Sequence, residues 1–91
     1  MSANLHKADV TTPPEKVDDR IRAAIIRALG PASAEAGTLA MGVTPGWDSM
    51  GHMTIVLELE REFGLRFPAY RLPELIDVAS IARLVRAAQP A

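Results

Sequence analysis

Glycine and proline stop signals divide this chain into three segments of apolar periodicity, and this division constrains its fold more than any other feature. In residues 15–29 apolar side chains recur at spacings of three and four, and Gly30-Pro31 ends the pattern. Residues 49–63 repeat the pattern and stop at a glycine, and Asp77 can cap a third periodic stretch. The sequence predicts an all-α fold, because amphipathic helices bury their apolar faces against one another.

The connections between these helices differ in length. Residues 30–47 have no sustained period, and we expect a long loop that Leu39, Met41 and Val43 pin onto the core. Loops of this length inside a compact domain are usually functional. Residues 69–75 surround a proline and predict one short, irregular helical turn. The predicted architecture is therefore a small four-helix bundle: three main helices, a short third helix, and a long loop after helix one.

Composition limits the classes of protein to consider. A chain of 91 residues allows one domain, and the absence of cysteine excludes disulfides, cysteine-based zinc sites and thiol nucleophiles. We expect no metal site. The net charge of −1 gives no electrostatic drive toward nucleic acid, and the apolar runs are too short for a membrane span or a signal peptide. We expect a cytoplasmic protein with a flexible, polar tail at 1–13 and a domain at 14–91.

The second helix has two apolar groups on its surface. On a helical wheel, one arc carries Ile55, Val56, Leu59 and Phe63, which we assign to the core. A neighbouring arc on the side of Ser49 carries Met50, Met53 and Leu57. This face is wider than one layer of helix packing needs. The second group either lies against the long loop or forms a partner-binding stripe with methionines as adaptable contacts.

Ser49 stands at the start of this helix, where backbone N–H groups are unpaired. One interpretation is ordinary capping by Asp48 or Ser49. The other is that Ser49 carries a phosphate ester, which a helix N-terminus stabilises. A hydrolase nucleophile is disfavoured, because the G-x-S-x-G turn would need glycine where Trp47 stands. His52 is within reach of Ser49 along the helix, but no orienting acid accompanies it, and we place His52 at the edge of the core face.

The triplet Asp48-Ser49-Met50 resembles the D-S-L signature of the acyl carrier proteins, with methionine in place of leucine. The following residues, GHMTIVLELEREFGLRFP, resemble the second helix of that family and its exit. The entry to the last helix, Leu75-Ile76-Asp77-Val78, also fits. The similarity covers about residues 15–88, in the family's order of helix, long loop, helix, short helix, helix.

The resemblance implies that a phosphopantetheinyl transferase moves 4′-phosphopantetheine from coenzyme A onto Ser49, with Asp48 as its motif neighbour. The arm would carry acyl groups as thioesters and present them to acyl-transferring or acyl-activating enzymes at high effective concentration. The chain itself would then not be an enzyme. It would be a monomeric carrier for fatty acid, lipid or polyketide-type synthesis.

The resemblance also implies two surfaces. Partner enzymes would contact a stripe that consists of Met50, Met53, Leu57, Glu58 and Glu60. An acyl chain would shelter between the second and third helices, in a pocket formed by Ile55, Leu59, Phe67, Leu72 and Leu75. Gly51, Thr54 and Arg61 stand where relatives in fatty-acid synthesis are acidic, which weakens the steering of basic partners and suggests a specialised carrier. Trp47 would be an aromatic at the solvent edge or a partner contact.

Three rival functions differ in the role of Ser49. A peptidyl or aminoacyl carrier domain shares the modified serine, but Gly46-Trp47-Asp48 departs from its G-[GH]-[DH]-S-L-type signature. A small helical interaction module without a prosthetic group would use Ser49 only as a cap. A DNA-binding helix-turn-helix is disfavoured by the long gap before the second helix and by the acidic character of that helix.

Overall fold

Helices dominate the computed structural model, which describes residues 14–90. Its α-helices are α1 (Pro14–Leu29), α2 (Ser49–Phe63) and α3 (Val78–Ala87), and its two 3₁₀ helices span Pro31–Ala36 and Ala69–Glu74. The prediction of a mostly helical small fold is confirmed. The 3₁₀ helix at Ala69–Glu74 occupies the place of the expected short third helix, and Pro73 lies inside it. The tail predicted at 1–13 lies outside the described residues.

Two strands of two residues each were not predicted. β1 (Leu65–Arg66) pairs antiparallel with β2 (Gln89–Pro90), so that Leu65 lies opposite Pro90. Two residues are too few to show the alternation of apolar and polar side chains by which a strand is recognised in a sequence. Their pairing ties the segment after α2 to the segment after α3.

The core lies where α1, α2 and α3 face one another. Its fully buried side chains include Ile21 and Ile25 of α1, Ile55 and Leu59 of α2, and Ile81 of α3. These residues lie on the apolar faces that the periodicity predicts. Burial of each such aliphatic side chain contributes about 1.5–3 kcal/mol, which gives a domain of this size most of its stability.

Charged side chains join α1 to α2 beside this core. Arg20 Nε lies 2.8 Å from a carboxylate oxygen of Glu62, and Arg27 reaches both Glu58, at 3.2 Å, and Glu62, at 3.0 Å. The guanidinium of Arg20 also lies 4.4 Å from the centre of the Phe63 ring. Glu58 and Glu62 of α2 therefore face α1, whereas Arg61 of the same helix is exposed.

Two of the three residues expected to pin the long loop onto the core do so. Leu39 is buried and Met41 packs partly against the core, but Val43 is 71% exposed, so its predicted role as an anchor is wrong. The chain turns back at Ala40–Thr44, where the N–H groups of Val43 and Thr44 both donate to the carbonyl of Ala40. This turn directs Val43 outward. The buried Thr44 hydroxyl closes the loop on itself, accepting the Ala40 N–H at 2.8 Å.

Capping defines where α2 and α3 begin. Asp48 accepts the Gly51 N–H at the start of α2, and Asp77 accepts the Ser80 N–H at the start of α3. The hydrogen bonds from Ser80 hold the pKa of Asp77 below its usual value, with a smaller contribution from the charge of Arg83. Asp77 is the cap that the sequence predicts for α3, and of the two candidates for α2, Asp48 and Ser49, the aspartate is the cap.

Candidate functional site

Ser49 is the first residue of α2, and its side chain is exposed. The cap of this helix is Asp48, whose Oδ1 accepts the Gly51 N–H at 2.9 Å. Within residues 14–90, no described side chain hydrogen-bonds the Ser49 hydroxyl. The hydroxyl is therefore not used by the helix start that surrounds it, and it faces solvent at the positive end of the helix dipole.

A close backbone approach positions this serine. Gly46 adopts a left-handed conformation, with φ of 87°, in the turn before Asp48. Its carbonyl oxygen lies so close to Gly51 that a Cβ built at Gly51 would overlap it. The packing of the turn against α2 explains the absence of a side chain there.

Trp47 is buried, with 2% of its surface exposed, so the expectation of a solvent-edge aromatic is wrong. Its indole N–H donates to Nδ1 of His52 at 3.0 Å, and the two rings are inclined by only 24°. Because an indole nitrogen is only a donor, Nδ1 must accept and the proton of the neutral ring sits on Nε2. Nε2 lies 2.8 Å from the carbonyl oxygen of Leu72 and donates to it. We call these three residues the Trp47–His52–Leu72 bridge.

The bridge determines what His52 can do. Both of its ring nitrogens have partners inside the protein, and the residue is 8% exposed. His52 is therefore not placed to activate Ser49, although the two residues are three positions apart on the same helix. Its hydrogen bonds join the end of the long loop, the first turn of α2 and the second 3₁₀ helix. Sequence analysis missed this, because no helical periodicity relates Trp47 to Leu72.

A cavity of about 560 Å³ opens beside Ser49, and we call it the loop-side cavity. Its lining combines apolar and polar side chains from the long loop and the first turn of α2: Met41, Gly42, Trp47, Asp48, Ser49, His52 and Met53. A Cβ built at Gly42 would meet nothing within 4 Å, so the loop leaves open space at this point. Ser49 thus lies at the edge of a largely apolar depression.

The stripe of α2 that the sequence analysis proposed for partners is in part exposed. Met50, Met53 and Leu57 expose 82%, 48% and 57% of their surface, so the loop does not cover them. The two carboxylates assigned to the same stripe are engaged within the fold. Glu58 pairs with Arg27, and Glu60 accepts the Phe67 backbone N–H at 2.9 Å.

The residues proposed for an acyl pocket lie together in the core. Ile55, Leu59 and Leu75 are completely buried, Phe67 is 5% exposed and Leu72 is partly buried. Of these five residues, only Phe67 lines either the loop-side cavity or a second cavity of about 410 Å³. That second cavity lies between β1, the second 3₁₀ helix and α3, and its lining includes Arg66, Tyr70 and Leu84.

Among residues 14–90, no group of three or more histidine, aspartate or glutamate side chains could hold a metal ion. Within the same range, none of the helices combines the length and apolar character needed to cross a membrane.

Comparisons of the chain with protein-family models, with curated proteins and with solved structures found no match in any of the three.

Proposed function

We propose that this protein is a carrier to which 4′-phosphopantetheine is attached at Ser49. One observation carries the proposal: Asp48 caps α2, so the adjacent Ser49 hydroxyl is exposed and without a described partner. A serine kept only for capping would direct its oxygen to the N–H of the second or third helical residue. Here the aspartate makes that bond.

The surroundings of Ser49 fit the attachment of a phosphodiester. The unpaired N–H groups and the dipole of α2 favour negative charge at this end of the helix. In the transfer, the Ser49 oxygen bonds to the pantetheine-linked phosphorus of coenzyme A while the bond from that phosphorus to the bridging oxygen breaks, and adenosine 3′,5′-bisphosphate leaves. A base of the transferase takes the hydroxyl proton, because both nitrogens of His52 are engaged. The arm supplies a thiol that a chain without cysteine lacks.

The exposed apolar residues beside Ser49 suit a protein that works by docking. Met50 and Leu57 would enter shallow pockets on the transferase and on acyl-transferring or acyl-activating enzymes. In this function the chain presents a tethered substrate and catalyses no step. The weakly acidic surface suits a specialised monomeric carrier in lipid or polyketide-type synthesis, with partners that need little electrostatic steering.

Intact-mass spectrometry tests the proposal directly. Incubation with coenzyme A and a promiscuous phosphopantetheinyl transferase should add one arm to the wild-type chain. Ser49→Ala should abolish the gain, whereas Thr38→Ala, which removes an exposed hydroxyl from the long loop, should leave it unchanged. A wild-type chain that stays unmodified would favour the interaction module without a prosthetic group. An equal gain in Ser49→Ala would place the arm elsewhere.

A further inference from the structure

We infer that the loop-side cavity holds the arm and a short acyl group, and that the acyl group does not enter the core between α2 and the second 3₁₀ helix. This inference rests on the proposed function and specifies its cargo. It follows from a difference between the two sides of Ser49: the side toward the core is closed, and the side toward the long loop has a cavity.

The core side is closed by the Trp47–His52–Leu72 bridge. His52 lies one turn after Ser49, and its Nε2 binds the carbonyl of Leu72 in the second 3₁₀ helix at 2.8 Å. A chain that passed from Ser49 between these two elements would have to break that bond. The indole of Trp47, hydrogen-bonded to the same imidazole, would then lose its own buried partner.

The interior beyond the bridge is filled. Ile55 and Leu75, which the sequence analysis assigned to an acyl pocket, expose none of their surface. Neither lines the loop-side cavity. An acyl chain would therefore have to displace packed side chains, and packed cores deform poorly.

The loop side offers space that already exists. Ser49 itself lines the loop-side cavity, so an arm on its oxygen starts within it. Met41 and Met53 provide flexible thioether side chains that adapt to a guest of irregular shape. The open space at Gly42 leaves the backbone of the loop accessible to the arm.

The size of the cavity limits the cargo. Its volume of about 560 Å³ must take the arm together with the acyl group. Since the cavity is bounded by one loop and one helical turn, a long chain would extend into water and gain no further burial. We therefore assign a short acyl chain as the cargo class.

Methionine methyl NMR provides the test, because the four methionines of the chain include two in the cavity and one outside it. The promiscuous transferase would load Ser49 from coenzyme A, butanoyl-coenzyme A or octanoyl-coenzyme A. The Met41 and Met53 methyl signals should shift on attachment of the arm and again with the butanoyl group. The signal of Met50, which is 82% exposed and outside the cavity lining, should move little.

The reactivity of the arm's thiol in matched variants is a second test of the assignment. In the arm-bearing protein, Met53→Gln should weaken binding of the arm in the cavity, so that its thiol reacts about fourfold faster with a soluble disulfide reagent. This factor corresponds to the loss of apolar burial equal to one methylene group. Tyr70→Gln, at a side chain that is 76% exposed and lines the other cavity, should leave the rate unchanged.

Four results would overturn the inference. Amide shifts at Leu72 and Leu75 in the butanoyl or octanoyl form would place the chain in the core. Shifts restricted to Ser49 and its two neighbours would place the arm in solvent. A chain that takes up no mass at all would remove the proposed function as well, whereas normal uptake without methionine shifts would refute the cavity assignment alone.

Discussion

The indole N–H of Trp47 donates a 3.0 Å hydrogen bond to Nδ1 of His52, and both side chains are buried. Through His52, the residue before the cap of α2 is connected to the carbonyl of Leu72, twenty positions after the histidine. The serine proposed to carry the arm therefore lies beside a structural joint. Three elements meet there: the long loop, α2 and the second 3₁₀ helix.

Trp47→Phe should reduce the free energy of unfolding by about 1–3 kcal/mol, because it leaves a buried acceptor on His52 without a partner. Denaturant unfolding followed by circular dichroism measures the change. Tyr70→Phe, at a residue that is 76% exposed, is the control and should have little effect.

His52→Leu completes a double-mutant cycle with Trp47→Phe. Because the two side chains bond directly, their effects should be non-additive by about 0.5–3 kcal/mol. Additive losses, or a Trp47→Phe variant as stable as the wild type, would show that the hydrogen bond between Trp47 and His52 contributes nothing to stability.

Gly51→Ala should destabilise the protein, although alanine is normally the better helix former by roughly 0.5–1 kcal/mol. The added methyl group would overlap the Gly46 carbonyl oxygen and push the preceding turn away from α2. We expect a loss of about 1–3 kcal/mol, as for other overpacked sites.

Thr54→Ala, at an exposed position of the same helix, is the control for this substitution and should change stability by about 0.5 kcal/mol or less. Thermal unfolding of the two variants gives the comparison. A Gly51→Ala protein that is more stable than the wild type would show that the turn can move away without cost.

Acid should weaken the start of α3 through Asp77. The hydrogen bonds from Ser80 lower the pKa of this carboxyl in the folded state, so folding favours its ionised form. The stabilisation is present above the unfolded-state pKa, about 4, and is lost as the pH falls through the lower folded-state pKa. Asp77→Asn, which can still cap the helix, should therefore flatten the fall in stability below about pH 4.

Urea unfolding between about pH 2 and pH 6 measures this effect, with Glu35→Gln as an exposed control that removes the same charge. If Asp77→Asn and the wild type lose stability in parallel across that range, Asp77 does not contribute to the pH dependence.

The sequence predicted those parts of the fold that depend on local pattern. The bounds of α2 and its cap follow from Asp48, the apolar period and Gly64, which ends the helix in a left-handed conformation with φ of 62°. The core faces of the three α-helices follow from spacing alone. These features need no knowledge of distant residues, because each is set within one or two turns of helix.

The parts that pattern did not predict depend on tertiary contacts. Val43 was expected inside and Trp47 at the solvent edge, and the structure shows the opposite for each. The turn at Ala40–Thr44 directs Val43 outward, whereas Trp47 is drawn inward by the hydrogen bond to His52. The exposed Ser49 was identified as a candidate from its motif. The loop-side cavity beside it was not, because it forms between segments that have no common period.

The exposed side chain of Leu57 gives a test of partner docking that is independent of the cavity. Leu57 lies two turns after Ser49 on α2, exposes 57% of its surface and is absent from the loop-side cavity lining. Leu57→Asp should leave the free energy of unfolding within about 0.5 kcal/mol of the wild-type value, because no core contact is lost.

The same change should slow modification of Ser49 by the transferase about tenfold, the factor that corresponds to loss of an interface contact worth about 1.4 kcal/mol. An aspartate at this position would have to be desolvated in an apolar pocket of the partner. Initial rates of arm attachment, measured by intact mass at low carrier concentration, give the comparison.

Tyr70→Asp introduces the same charge at a side chain that is 76% exposed and lines the other cavity, and it should be modified at the wild-type rate. Equal rates for wild type and Leu57→Asp would exclude Leu57 from the docking surface. An unfolded Leu57→Asp chain would instead assign the residue to the core.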